Sequence, residues 1–203
     1  MSLRETVLRG DIEEARSLLA SYGADTSIKV NNVTDDIWEA SLLHCAVNTN
    51  NIEMATLLLD HGACINRRDK FGRSSLWFAS CYSDKTDMVR LLLDRGAWIS
   101  STDFEMGRSP LHQAAWNGNI DIVTLLLDKH ASIDISDRAG LTPLHLAIER
   151  DHLDMTKLLL ERGADVNSSG GFWSDSPLQL AIRNGSTTMK GLFKPYISTV
   201  LDH

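Results

Sequence analysis

The sequence predicts an all-α solenoid: paired antiparallel helices joined by β-turn loops, in about six units with degenerate units at both ends. Three observations predict it. One leucine recurs in the same setting as Leu43, Leu76, Leu111, Leu144 and Leu178, at intervals of 33, 35, 33 and 34 residues. An alanine follows three residues after each (Ala46, Ala79, Ala114, Ala147, Ala181), and a leucine triplet follows the first four at 57–59, 91–93, 125–127 and 158–160. Finally, 203 residues with 43% apolar and 23% charged content match a soluble globular chain, and no apolar run approaches the ~18–20 residues that span a bilayer.

Each unit follows from its residues in turn. Residues 3–35 form a degenerate cap, in which Gly10-Asp11-Ile12 answers Gly118-Asn119-Ile120 and Leu18-Leu19 answers the leucine triplet. The interval from Leu3 to Leu43 is 40, which places extra residues in Ala24 to Asp36, poor in helix signals and expected to protrude as a mobile loop. Unit 36–68 is built on Ser41-Leu42-Leu43-His44 and Gly62-Ala63, and unit 69–102 on Ser74-Ser75-Leu76-Trp77 and Gly96-Ala97. Unit 103–136 starts its first helix at Ser109-Pro110 and carries His130 where the others carry the helix-ending glycine. A non-glycine residue in the left-handed conformation costs about 1 kcal/mol.

Unit 137–169 shows the local physics most fully. Asp137-Arg138-Ala139-Gly140 is a turn; Thr142 caps a helix whose first position is Pro143, where a missing N–H costs nothing. Leu144, Ala147 and Ile148 share one face, a second helix from about Leu153 to Arg162 buries Met155, Leu158 and Leu159, and Gly163 ends it. Unit 170–203 is a C-terminal cap: Thr187, Thr188 and Lys190 stand where inner units are apolar. The residues from Phe193 to Leu201 read equally as a closing helix or as the start of further sequence. All six units make one repeat domain, 1–203, because a single unit cannot bury its own apolar face.

These units resemble the ankyrin repeat. Thr142-Pro143-Leu144-His145-Leu146-Ala147 matches its T-P-L-H-x-A motif at every fixed position, and Ser109-Pro110-Leu111-His112-Gln113-Ala114 differs only by Ser for Thr. The resemblance implies structural bonds for His44, His112 and His145, with Trp77 as the departure. It also implies an intracellular, non-catalytic module that binds another protein on a concave face of turn tips and first helices, as an adaptor, a scaffold or an inhibitor masking a transcription factor or kinase. Leu159 with Asp165-Val166-Asn167 is similar to sequences modified by asparagine hydroxylases, which makes Asn167 a candidate for hydroxylation; Asn66 is a weaker match.

No phosphate-binding glycine loop, nucleophile elbow or metal-ligand spacing stands in the chain, so no enzyme, cofactor or metal is expected. Cys45, Cys64 and Cys81 form no C-x-x-C pair. Counting back five from the anchor leucines gives the tip column Trp38, Phe71, Met106, Ala139 and Trp173. Counting forward five or six gives Tyr82, Trp116, Asn117, Arg150 and Arg183 on the exposed side of the first helices, and Lys70, Arg73, Arg108 and Arg138 flank the tips. Aromatic and arginine residues dominate binding hot spots, so these are the candidate partner-binding residues. The expected partner is a protein segment with acidic and apolar residues, bound to a monomer without a membrane. The alternative is a solvated surface of mixed charge, since Glu39, Glu105, Glu149 and Asp175 are interspersed. Stacking of a nucleotide or single-stranded nucleic acid on the same residues is the other reading, disfavoured by a net charge of −7.

Overall fold

A computed structural model describes residues 2–34, 38–169 and 175–201. It is all-helical, with isolated bridges at Thr34–Ser41 and Arg68–Ser74 in place of a sheet among the described residues. The chain divides into two compact parts, Met1–Glu105 and Met106–His203. No helix among the described residues is long and apolar enough to cross a membrane.

In Met1–Glu105, three helix pairs follow one another: α1 (Leu3–Arg9) with α2 (Ile12–Ser21), α4 (Leu42–Asn48) with α5 (Ile52–Asp60), and α6 (Ser75–Ala79) with α7 (Thr86–Asp94). First helices pack on first helices, α1 on α4 and α4 on α6; second helices pack likewise, α2 on α5 and α5 on α7. Val7, Leu19, Ala46, Leu58, Ala79, Met88 and Leu92 are fully buried between them. Each such leucine contributes roughly 1.5–3 kcal/mol of transfer free energy, and the alanines let the first helices approach closely.

Met106–His203 repeats the plan with α8 (Pro110–Trp116) and α9 (Ile120–Asp128), α10 (Pro143–Glu149) and α11 (Leu153–Glu161), and α12 (Pro177–Asn184) and α13 (Thr187–Leu192). Here α10 packs between α8 and α12, and α11 packs against α9 and α13. The helix α14 (Lys194–Leu201) follows and packs on α13, with Phe193 fully buried before it. A helix over this segment fits both a closing helix and the start of further sequence.

The caps expected from the sequence form as such. Thr142 caps α10 with Pro143 at its first turn, and Gly163 after α11 has φ +88°. His130 adopts φ 65°, the left-handed conformation expected of the residue that replaces glycine.

The segment after α2 differs from the expected loop. Residues Gly23–Asp25 make one 3-10 turn and Thr26–Asn32 form a helix, α3, with Val30 buried; Asp35 and Asp36 lie outside the described residues. Asn31 explains the fold of this segment. Its Nδ2 donates to the Gly62 carbonyl (2.8 Å) and its Oδ1 accepts from Cys64 N–H (2.7 Å), while Arg67 reaches the Asn31 carbonyl (2.7 Å). Asn66 makes the same kind of bond one unit later, accepting from Trp98 N–H at 2.8 Å. A seven-residue helix is marginal alone and is held by this docking, not by propensity, so its local sequence carries little sign of it.

Candidate functional site

The tips are built by buried aspartates. In Met1–Glu105, Asp69 Oδ1 accepts from Phe71 N–H (3.0 Å) and Arg73 N–H (2.9 Å), Gly72 supplies φ +79°, and the Arg73 guanidinium closes on Oδ2 at 2.7 Å. In Met106–His203, Asp137 Oδ1 accepts from Ala139 and Leu141 N–H, both at 2.9 Å, and Arg108 Nε lies 3.3 Å from Oδ2. An Asp followed by a left-handed Gly thus fixes which residue projects at each tip.

Successive tips are joined by single backbone bonds. Lys70 N–H donates to the Trp38 carbonyl (3.0 Å), Phe104 N–H to the Phe71 carbonyl (2.7 Å) and, in the second part, Arg138 N–H to the Met106 carbonyl (2.8 Å). Those bonds bring side chains 33 residues apart into contact. The Trp38 and Phe71 rings lie 5.4 Å apart, and Lys70 Nζ sits over both, at 4.8 and 5.1 Å from the ring centroids. The Arg73 guanidinium stacks on Phe71 (4.5 Å) and Phe78 (4.6 Å). Four of the expected binding residues, Trp38, Lys70, Phe71 and Arg73, therefore form one cluster.

The remaining candidates are placed differently. Trp116 lies under two guanidinium groups, Arg108 at 5.0 Å and Arg150 at 4.8 Å. Tyr82 is exposed apart from these, with Lys85 Nζ 4.5 Å from its ring. Met106 and Arg138 are exposed at a tip; Asn117 turns its Nδ2 back to the Gln113 carbonyl (2.8 Å), and Arg183 pairs with Asp175 at 2.6 Å. Trp173 lies outside the described residues. Asn167 is exposed, its N–H donating to Asp165 Oδ1 (2.9 Å).

Two hollows border these residues. A cleft of about 390 Å³ in the first part is walled by Leu8, Trp38 and Phe78, with His44 and Cys45 along it and Arg4, Asp69 and Arg73 at its polar side. A second, of about 500 Å³, lies between α10 and α12 and is polar, lined by Glu149, Asp151, Asp175 and Arg183 among others.

Sequence reading missed Leu8, Phe78 and Phe104. Leu8 stands five residues past Leu3, in the first-helix column of the degenerate first unit, which lies before the first counted anchor, Leu43. Phe78 stands two past Leu76 in α6, outside both counted columns. Phe104 packs over Gly72, where an added Cβ would meet its ring at 2.5 Å.

The histidines take structural bonds, as the resemblance implies. His44 Nδ1 accepts from Ser41 N–H (3.2 Å) and lies 2.8 Å from its hydroxyl, leaving Nε2–H to donate to the Arg73 carbonyl (3.1 Å). His112 bonds the Leu141 carbonyl (2.9 Å) and His145 the Asp175 carbonyl (3.0 Å) from equivalent frames. Burial holds the imidazoles of His44 and His145 below the ordinary histidine range, so both are neutral linkers. Burial also pushes the Cys81 thiol up to about 12, far from nucleophilic, and no group of acids, cysteines and histidines able to hold a metal occurs among the described residues.

A family model described as ankyrin repeats in three copies matches residues 3–103, 66–138 and 111–200. Comparison with curated proteins returns no match. Paired helices with histidine-linked caps and aspartate-built tips are the elements those matched segments supply, and this chain belongs to the ankyrin-repeat family.

Proposed function

We propose that this chain is a non-catalytic adaptor or scaffold that captures a partner protein through the tips and first-helix faces of its repeats. Ankyrin repeats typically mediate protein–protein interaction and are generally non-catalytic. The observation that carries the reading is the Trp38–Phe71 cluster: two aromatic rings on adjacent tips, pinned by Arg73 and overlaid by Lys70, with Trp38 46% exposed. A soluble monomer has little reason to hold such rings in water unless they are buried on binding. Masking of a transcription factor or kinase is one form such capture takes. A reducing compartment suits Cys45, Cys64 and Cys81, all free thiols, and exposed Asn167 remains the proposed site of hydroxylation.

Partner capture from cell extract tests the reading with three proteins: wild type, a Trp38→Ala/Phe71→Ala variant and a Trp116→Ala variant, each checked for fold by circular dichroism. The expected result is loss of the main partner with the double variant and a weaker loss with Trp116→Ala, because the Trp116 ring is already covered by Arg108 and Arg150. Equal retention by all three would overturn the tip reading. On-rates measured between 50 and 300 mM salt should fall as salt rises, since the exposed cations of the tips steer an acidic partner.

A further inference from the structure

Within the protein-interaction reading, on which it rests, the geometry points to a definite occupant for the cleft beside Trp38: a large apolar side chain of an extended partner segment, with a neighbouring carboxylate taken by Lys70. The cleft measures about 390 Å³. An apolar cavity of ~150 Å³ already admits a benzene ring, so one large side chain enters with room for part of its backbone. Its walls are apolar and partly in water, Leu8 being 45% and Trp38 46% exposed.

Three of the polar groups along it, His44, Asp69 and Arg73, are engaged within the chain, and Arg4 adds a further cation at its polar side. His44 has both ring nitrogens engaged, with Ser41 and with the Arg73 carbonyl. Asp69 is buried, and its two oxygens are taken by backbone N–H groups and by Arg73. Arg73 is in turn neutralised by that ion pair and serves to hold the Phe71 and Phe78 rings.

The charge that remains is positive. Helices α4 (LLHCAVN) and α6 (SLWFA) contribute no Asp, Glu, Lys or Arg to this face. Lys70 is exposed, fixed beside Trp38 by its backbone bond, and pairs with no carboxylate among the described residues. The exposed Glu39 on the Trp38 tip is the opposing charge. An exposed ammonium over an aromatic wall suits one carboxylate beside one apolar group, whereas a phosphate backbone calls for a longer row of cations.

Fluorescence anisotropy with three labelled peptide pools of equal length tests this. The first pool places Leu, Ile or Phe next to Asp or Glu, the second places the same apolar residues next to Lys or Arg, and the third places Ala next to Asp or Glu. The first pool is expected to bind about tenfold tighter than either other. Lys70→Glu should bring the first pool down and raise the second, a charge swap that unfolding cannot mimic, and Trp38→Ala should weaken the first two together. Equal binding of the first two pools, an unmoved preference in Lys70→Glu, or tighter binding of an oligouridylate than of the first pool would overturn the assignment. If no pool binds while captured partners still depend on Trp38 and Phe71, the occupant is wrong and the interaction reading stands; if that dependence is absent too, both fall.

Discussion

Met1–Glu105 and Met106–His203 each stack three helix pairs, and each ties consecutive second helices by the same exposed ion pair, Arg95–Asp60 at 2.8 Å in one and Arg162–Asp128 at 2.9 Å in the other. They part company at the tips. In the first part Arg73 lies on its own tip aspartate and stacks on neighbouring rings, so aromatic residues gather; in the second Arg108 is shared between Asp137 and Trp116, and the Trp116 ring is covered by cations. The inter-helix turns differ as well. In the first part Ser83–Lys85 replaces a tight turn before α7, and buried Lys85 donates to the Val47 and Asn48 carbonyls (2.8 and 3.0 Å) at the end of α4. The lesson is that one repeat scaffold accepts very different chemistry at positions whose backbone is already satisfied.

Substitutions at the tip aspartates should separate the two parts most. Asp69→Ala strands two backbone donors and a guanidinium and is expected to cost roughly 3–4 kcal/mol, read as a lower urea midpoint. Asp137→Ala strands two donors and a longer ion pair, and about 1 kcal/mol less is expected. Equal losses would mean that the closer arginine in the first part contributes nothing.

Lys85→Met should cost about 2 kcal/mol by removing charge-assisted bonds to two helix-end carbonyls. Hydrogen exchange should quicken around the end of α4 while α8–α11 stay protected. Uniform quickening would show that the two parts open together and erase the comparison at this point.

Acid should affect both parts in the same direction. His44 and His145 are held neutral by burial, below the ordinary value, whereas in the unfolded chain they bind protons near pH 6.5. The unfolded state then holds more protons, so stability rises with pH: the contribution is complete above about 6.5 and is lost as pH falls toward the folded values. Urea midpoints at pH 7.5 and 5.0 check this, and His145→Gln should flatten only the share owed to the second part. A midpoint that rises on acidification would contradict the neutral-linker assignment.

The smallest effect expected is a gain. His130→Gly relieves the φ 65° strain of a non-glycine residue but loosens the unfolded chain, for a net stabilisation of about 0.5–1 kcal/mol. Gly163→Ala at the matching helix end, φ +88°, should lose a similar amount. Opposite signs at the two sites would confirm that the position, not the residue, sets the cost.

Much of this was legible in the chain because its causes are local. Thr142-Pro143, Asp137 with Gly140, and Gly163 act on backbone groups within four residues, so they announce a cap, a tip and a helix end directly. His130 was legible by contrast with its glycine counterparts. The α3 helix was not, since its stabilising bonds run from Asn31 to Gly62 and Cys64, and nothing within seven residues signals them. Lys85 was equally silent, because its partners are carbonyls 37 and 38 residues earlier.

For the candidate site, the residue types were readable and their grouping was not. Period and anchor spacing name Trp38, Phe71, Tyr82, Trp116 and the arginines as surface residues, because a repeat of fixed length puts the same position of each unit on the same side. Which of them touch depends on tip-to-tip bonds such as Lys70 to Trp38 and on the rotamer each side chain takes once a neighbour is present. Local backbone chemistry is written in consecutive residues, whereas the contact of two side chains 33 positions apart exists only after the units have stacked.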